Sequence, residues 1–319
     1  MVKKEFLKSL KCPLTNSKLY EKDHYLINDN GKKYNLINNI PILVSERKTT
    51  LWVAEASYNS AVANKQDNYH LDTLGLSKEE INRLKIKMKL YKMNQEKKDI
   101  DPVISSLIGA TNGFMYSHLI EKKITRIPIP KFRLPDSDKN DLLLDIGCSW
   151  GRWSIAAALA GYRVIGIDPS LGAVLAAERL SKKIGVDHMI QFVVGDGTQL
   201  PIKEKSIDFY FSYSVLQHFS KDNFKLAIKE ANLACKENSV LMVQMPNALG
   251  IRSLYWLLKR RFRKSYGFEV RYYLPNELAR IVEKNFGPVT LSIDGILGLG
   301  IQSSDYDLMP FYKKLIIIF

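Results

Sequence analysis

An α/β fold built on a doubly wound parallel sheet is predicted by three features of the chain. Residues 142–170, LLLDIGCSWGRWSIAAALAGYRVIGIDPS, read as strand, glycine loop, helix and strand, with an acid closing each strand at Asp145 and Asp168. Further apolar runs follow in residues 192–200 (FVVGDGTQL), 206–219 (SIDFYFSYSVLQHF) and 239–245 (SVLMVQM), the last stopped by Pro246. Short uninterrupted apolar runs mark strands buried on both faces, and helical segments between them are the crossovers that parallel strands require.

The elements are expected in the following order. Residues 1–48 form a small β-rich module. Tyr25, Leu26 and Ile27 make a strand, Asp29-Asn30-Gly31 supplies hairpin chemistry, and the chain returns through Tyr34 and Leu36 before residues 39–44 close the unit. A structural zinc site needs about four Cys/His ligands in paired spacing; only Cys12 and His24 are present, so no metal is expected. Residues 49–140 are helical and polar. Ser77 and Glu80 form a capping box, and Ile81, Leu84, Met88 and Tyr91 make one apolar stripe that is most simply a packing face. Pro128, Pro130 and Pro135 break helix and imply an extended connector.

Residues 141–319 carry the main domain. Its first helix covers about residues 153–160 and stops at Gly161. The next opens with Pro169 and ends at Gly185, and Asp222 is expected to cap a third that carries Phe224, Ala227, Ile228 and Ala231 on one face. Pro275 opens a later helix, and residues 289–293 read as a late strand.

Gly147 and Gly151 let backbone approach a ligand where a Cβ would clash, and Asp168, at a strand end, can accept from both hydroxyls of a ribose. The glycine spacing discriminates between nucleotide cofactors. A dinucleotide loop, G-x-G-x-x-G, would put glycines at 147, 149 and 152, where this chain has Gly147, Ser149 and Arg152. The observed D-x-G-x-S-x-G, from Asp145 to Gly151, resembles motif I of class I S-adenosylmethionine-dependent methyltransferases, with Ser149 at the middle glycine of the usual D-x-G-x-G-x-G. The resemblance runs over about residues 142–300 and is nearest the small-molecule, type 11-like members.

It implies a Rossmann-like, seven-stranded methyltransferase sheet and S-adenosylmethionine as cofactor. It also implies cofactor contacts from Asp145, Gly147, Cys148, Ser149, Gly151, Asp168, Pro169, Asp196, Gly197 and Ser212, with Asp196 holding the adenine amino group. Asp145 pins the glycine loop in many members. Trp150 and Trp153 stand beside the loop as flanking or packing aromatics, and Tyr116, in the segment before motif I, is a lid candidate. The N-terminal module resembles the zinc-ribbon-type domain of the activator subunit of tRNA and protein methyltransferases, here without metal ligands.

Methyl transfer from a sulfonium is an in-line displacement whose acceleration comes largely from holding the reactants in near-attack geometry away from water. A base is needed only if the acceptor is protonated. The mouth of the fourth strand offers Tyr213 and His218 as catalytic candidates, with Gln217 beside them.

The formal charge of +14 is unevenly placed. Residues 142–245 carry 11 basic against 10 acidic groups, so the surplus lies on the flanks. Seven basics fall in residues 252–271, where Leu254, Trp256, Leu257, Leu258 and Phe262 interleave with Lys259, Arg260, Arg261, Arg263 and Lys264. Such a segment suits an anionic membrane surface, the phosphates of a lipid-linked or nucleotide-linked sugar, or RNA, and it equally suits a packed helix with a solvated basic face. The surrounding run, residues 245–278, is similar to small-molecule methyltransferases that accompany cell-surface glycan synthesis.

A hydroxyl of a small molecule or glycan precursor is therefore the expected acceptor. RNA methylation is the alternative, although SYSVLQH lacks the N-P-P-Y/F-type tetrapeptide of many amino-directed nucleic-acid enzymes; a non-catalytic cofactor-binding protein is the third reading. The first residues, MVKKEFLKSLKCP, lack the apolar core of a secretory signal, so a cytoplasmic protein is expected.

Overall fold

The computed structural model describes residues 2–44, 52–63, 67–93, 100–111, 114–119, 124, 126–134, 137, 141–294 and 302–318. A single helical turn, α1 (Lys4–Leu7), precedes a four-stranded antiparallel sheet of β1 (Leu19–Lys22), β2 (Tyr25–Asn28), β3 (Lys33–Ile37) and β4 (Ile40–Pro41), paired in sequence order. Its central hairpin turns where expected. Asn28 Oδ1 accepts from the N–H groups of Asn30 (3.0 Å) and Lys32 (2.8 Å), and Gly31 takes the left-handed φ of +77° that closes the turn. Cys12 is buried in this module, its Sγ 3.0 Å from the Tyr34 hydroxyl and 3.3 Å from the Asn28 amide, while His24 is exposed on the β1–β2 turn.

Three helices follow, α2 (Trp52–Val62), α3 (Lys78–Met93) and α4 (Pro102–Thr111), with a 3₁₀ turn at Leu71–Thr73. The capping box forms as read: Ser77 Oγ accepts from Glu80 N–H at 3.2 Å and Glu80 Oε2 from Ser77 N–H at 2.8 Å. Leu84 and Met88 bury the α3 stripe in the shared core, so the stripe is a packing face. The expected Pro135 connector and residues 112 and 113 lie outside the described residues.

The parallel sheet is built from β5 (Leu142–Ile146), α5 (Arg152–Leu159), β6 (Arg163–Asp168), α6 (Leu171–Ile184), β7 (Ile190–Val194), β8 (Ile207–Tyr213), α7 (Lys221–Ala234) and β9 (Cys235–Gln244). Strand order is β7-β6-β5-β8-β9, every pair parallel. The winding reverses between β5 and β8, so the carboxyl ends of these strands open the crevice in which doubly wound sheets bind ligands. β5 and β7 are buried at every residue, as a sheet covered on both faces demands. The chain ends in α8 (Ile251–Lys259), α9 (Pro275–Asn285) and α10 (Phe311–Ile318). The side chains of residues 315–318, and Phe319, lie outside what the structure describes.

Three local expectations are corrected. Of seven strands, five form in the parallel sheet among the described residues, and residues 289–293 run irregularly with Leu291 and Ile293 exposed. The chain there leaves the sheet and carries Asp294 to Arg133 and Tyr213. Helix α7 is capped by Ser220, whose Oγ accepts from Asn223 N–H at 3.1 Å, and Asp222 sits inside the first turn. Helix α6 starts at Leu171, two residues beyond Pro169, with Ser170 as its cap (Oγ accepting from Ala173 N–H, 3.2 Å).

The N-terminal sheet lies against the edge of the parallel one. Leu43 N–H donates to Val194 O at 2.8 Å, Lys11 N–H to Pro201 O at 3.0 Å and Lys203 N–H to Ser9 O at 2.9 Å. Phe6, Leu10, Leu19 and Leu26 share one buried cluster with Leu144, Ile165, Ile167 and Val193. The α2–α4 region docks on α6 and its approach: Ser57 Oγ donates to Pro169 O (2.7 Å) and Ser170 Oγ to Thr73 O (2.7 Å).

Candidate functional site

The glycine loop is folded by three left-handed residues, Gly147 (φ +75°), Ser149 (+48°) and Gly151 (+81°). The β8–α7 loop presses on its first turn, so that a Cβ at Gly147 would lie 2.3 Å from Val215 Cγ2. Gly151 is fixed by helix–sheet packing instead, since its Cβ would come 2.9 Å from Ala177 Cβ and 3.2 Å from Phe192. The N–H groups of Gly147 and Cys148 both bond to Ile167 O, at 2.8 and 3.1 Å, and tie the loop to the end of β6. Ser149 adopts the left-handed conformation with its N–H directed at Asp168 Oδ2, 2.9 Å away. This is how a serine is accommodated at the middle glycine.

Asp168 is half-buried at the carboxyl end of β6. Its Oδ1 accepts from Ser170 N–H and its Oδ2 from Ser149 N–H, both at 2.9 Å. Burial pushes its carboxyl up to about 6, against which these two N–H bonds work. Each carboxylate oxygen retains a second acceptor direction, so the pair can receive two hydroxyls of a diol. On the neighbouring strand, Asp196 follows β7 with Oδ1 held by Thr198 N–H and Oγ, both at 2.8 Å. Gly197 leaves it close packing against Ile146 and Phe219.

Other residues of the expected cofactor set make contacts within the fold. Asp145 is 2% exposed and accepts from Ser154 Oγ at 2.6 Å, joining β5 to α5. Burial pushes its carboxyl up to about 7. Cys148 is buried, and burial raises its thiol well above the ordinary range. Ser212 turns its hydroxyl into the sheet, donating to Ile146 O at 3.3 Å, and Pro169 offers its carbonyl to Ser57. Trp150 is 1% exposed and packs in the core rather than flanking the crevice.

At the mouth of β8 an aromatic and charged wall assembles from distant segments. Trp153 and Tyr213 rings lie 4.7 Å apart, and the Arg133 guanidinium sits over both, at 5.7 and 5.3 Å. The Tyr213 hydroxyl donates to Asp294 Oδ2 at 2.5 Å and accepts from Gln302 Nε2 at 3.0 Å, and Arg133 pairs with Asp294. Burial and the Asp294 carboxylate push the Tyr213 phenol far above its ordinary range. A phenol held protonated can donate a hydrogen bond but not act as a base, and its contacts set Tyr213 within this wall.

His218 follows Tyr213 by five residues. Its ring stacks on Phe268 at 4.0 Å with 3° between planes, and Nδ1 lies 2.7 Å from Phe268 O. A carbonyl can only accept, so Nδ1 carries the proton and Nε2 the lone pair. Burial lowers its pKa, with Arg271 adding to the effect. Gln217 beside it is buried, with no hydrogen bond to Oε1 among the described residues.

A strap at residues 302–309 crosses the start of α5. Arg152 pairs with Asp305 at 2.6 Å, and the hydroxyl of Tyr116, fully buried, donates to the other Asp305 oxygen. Tyr116, the lid candidate, therefore holds the strap beside the glycine loop. Arg133, Asp294, Gln302 and Asp305 carry no motif, and nothing in their local sequence marks them.

Residues 144–243 match the family model described as a methyltransferase domain. Over 166 residues the chain is 28% identical to the ubiquinone biosynthesis O-methyltransferase of Pelagibacter ubique (strain HTCC1062), covering 49% of this chain and 67% of that one. Among solved structures it resembles the [4+2]-cyclase SpnF (20% identity, TM-score 0.38, 46% of this chain and 52% of that). It also resembles the YcgJ protein of Bacillus subtilis (21%, TM-score 0.40, 47% and 63%). The chain thus spans about half to two thirds of these proteins' own lengths. The paired acceptor directions of Asp168 and the second acid, Asp196, on the next strand fit the ribose and adenine of a nucleoside. Residues 144–243 of this chain thus match a methyltransferase domain, set on a doubly wound, Rossmann-like sheet, and S-adenosylmethionine is the cofactor that this match supports.

Proposed function

We propose that the chain methylates a hydroxyl oxygen of a small molecule, of the kind found on glycan or lipid-linked precursors, with His218 as general base. The observation that carries this reading is the tautomer of His218. Its Nδ1 proton is committed to Phe268 O at 2.7 Å, which leaves Nε2 as the acceptor, and burial favours the neutral ring. The O-methyltransferase named among the relatives supports oxygen as the acceptor atom.

Bound S-adenosylmethionine supplies an electrophilic methyl on a sulfonium. Asp168 would receive the ribose hydroxyls and Asp196 the adenine amino group, and the glycine loop, through Gly147, Cys148, Ser149 and Gly151, would line the same site. Trp153, Tyr213 and Arg133 would wall the acceptor side and exclude water, so that the hydroxyl meets the methyl in near-attack geometry. His218 Nε2 would take the proton as the oxygen–carbon bond forms and the methyl's bond to sulfur breaks, the sulfur leaving as a neutral thioether. Residues 1–48 would act as a structural or substrate-presenting module, residues 49–140 as the cover beside Asp168, and residues 141–319 as the catalytic domain. No described helix is long and apolar enough to cross a membrane, and we place the protein in the cytoplasm.

Incubation of the purified chain with methyl-labelled S-adenosylmethionine and a lysate separated into organic-extractable, small-molecule, RNA and protein fractions tests the reading. Label is expected in the first two, as an ether stable to alkali. Label confined to RNA would replace this reading with RNA methylation, and cofactor binding without label in any fraction would replace it with a non-catalytic role.

A further inference from the structure

Helix α8 is mounted the wrong way round for a surface helix. Such helices ordinarily turn their apolar stripe to the core and their charges to water. In α8 the inward positions are Ser253, Leu257 and Arg260, of which only Ser253 is buried. The outward stripe is Ile251, Leu254, Tyr255, Leu258 and Phe262, at the one-turn spacing of a helix face, and these are between 41% and 71% exposed. Leu249, Tyr266 and Phe268 extend the apolar surface beyond both ends of the helix, all more than half exposed.

Basic groups frame this stripe. Residues 252–271 contain seven Lys/Arg and a single acid, Glu269, which is already paired with Arg263 at 2.5 Å. Lys259, Arg261, Arg263 and Lys264 are exposed, and Arg260 is anchored inward on Ser265 Oγ and Val270 O. The face also leads into the site already described. Phe268, exposed on one side, stacks on His218 with the other, and Arg271 donates to His218 O at 2.6 Å.

We propose that α8 and the following loop to Phe268 dock on the surface of an anionic lipid bilayer, and that the mouth of the β8 site is thereby held at that surface. Exposed aliphatic and aromatic groups enter the headgroup boundary while Lys and Arg at the rim meet lipid phosphates. The composition selects this occupant. A second copy of the chain would bring two strongly basic segments together, and like charges at an interface oppose association. Nucleic acid needs the basic rim and aromatic groups, but gains little from Ile251, Leu254 and Leu258 standing in water. The inference rests on the surface of α8 and stands whatever the methyl acceptor is.

The test is co-sedimentation of the full chain with vesicles of phosphatidylcholine alone and with about 30% phosphatidylglycerol. Binding is expected to the anionic vesicles, weakened at least ~10-fold by ~0.5 M salt. Trp256, 38% exposed on α8, should shift its fluorescence to the blue in the same titration. Two variants, Arg261→Glu/Lys264→Glu and Ile251→Ser/Leu258→Ser, should each lose ~10-fold or more of the partitioning. Both should keep the wild-type melting temperature and S-adenosylmethionine affinity. Absence of binding to anionic vesicles, equal binding to phosphatidylcholine alone, or undiminished binding by both variants would overturn the proposal. So would RNA binding that the charge variant abolishes while vesicles bind neither protein, or a dimer that the apolar variant dissolves without vesicle binding. The unvaried chain's salt and lipid dependence decides the matter even if a variant fails to fold.

Discussion

Arg152 and Asp305, 153 residues apart in the chain, form an ion pair of 2.6 Å with side chains 8% and 0% exposed. Asp305 accepts at the same time from the Tyr116 hydroxyl, so one carboxylate fastens the C-terminal strap and the 114–119 turn to the first residue of α5. Asp305→Ala leaves a buried guanidinium and a buried phenol without this partner. Breaking a buried pair in this way costs about 3–5 kcal/mol, and urea unfolding should show that loss. An Arg152→Met/Asp305→Leu double variant should lose much less, since no buried charge is stranded.

Gly147 meets Val215 across the crevice. Gly147→Ala adds a methyl 2.3 Å from Val215 Cγ2 at a φ of +75°. The left-handed conformation alone costs about 1–2 kcal/mol for an L side chain. Thermal denaturation is expected to fall by several degrees, and calorimetric titration should show weakened S-adenosylmethionine binding. Removing Val215's branch as well (Val215→Ala) should recover part of the affinity but not the backbone term.

Asp168→Ala removes the acceptor from the end of β6. Affinity for S-adenosylmethionine should fall at least ~100-fold, equivalent to about 2.7 kcal/mol. The Ser149 and Ser170 N–H groups lose a partner too, so a small drop in melting temperature accompanies it. Unchanged affinity would remove Asp168 from the site.

His218→Gln should lower kcat by roughly 10²–10⁴-fold, the usual contribution of a general base, with cofactor affinity retained. Because burial lowers the His218 pKa, the acid limb of the kcat/KM profile should lie below the ordinary histidine value of 6.5. Activity is lost only as pH falls through that depressed value, and the limb should vanish in the variant.

Asp145 links stability to pH in the opposite direction from a salt-bridged carboxylate. Its folded pKa, raised by burial to about 7 from 3.8, means the folded chain holds a proton that the unfolded chain releases. The stabilisation is full below pH 3.8 and is lost as pH rises towards 7. Asp145→Asn keeps an acceptor for Ser154 Oγ and removes the titration. Melting curves between pH 4 and 8 should therefore show a flatter profile for the variant, with its gain greatest at the alkaline end.

The legible part of this molecule is local. Residues 142–168 announce β5, the glycine loop, α5 and β6 because each strand is one uninterrupted apolar run and each turn carries its own glycine. The Ser77–Glu80 box and the Asn28–Gly31 turn were readable for the same reason: all their partners lie within four residues. Arg133, Asp294 and Gln302 were not, since their meaning is set by Tyr213, which lies more than eighty residues from Asp294. The surroundings of Tyr213 were hidden for the same reason, because the carboxylate that raises its phenol pKa comes from a segment without a motif. The α8 sequence showed basic and apolar groups in alternation, but not which face the fold leaves outward.

The docking of residues 1–44 on β7 also bears on how this chain avoids its own kind. β7 is the outermost strand of the parallel sheet on that side, and an outermost strand presents unpaired N–H and C=O groups that any extended peptide can join. The Leu43 N–H on Val194 O and the Ile42–Val194 bridge occupy that margin with backbone from the same molecule. Phe6, Leu10 and Leu26 then close over it. The small N-terminal sheet thus covers the open margin of β7, and a chain trimmed of it is expected to self-associate through that strand, which light scattering of the truncated chain would show.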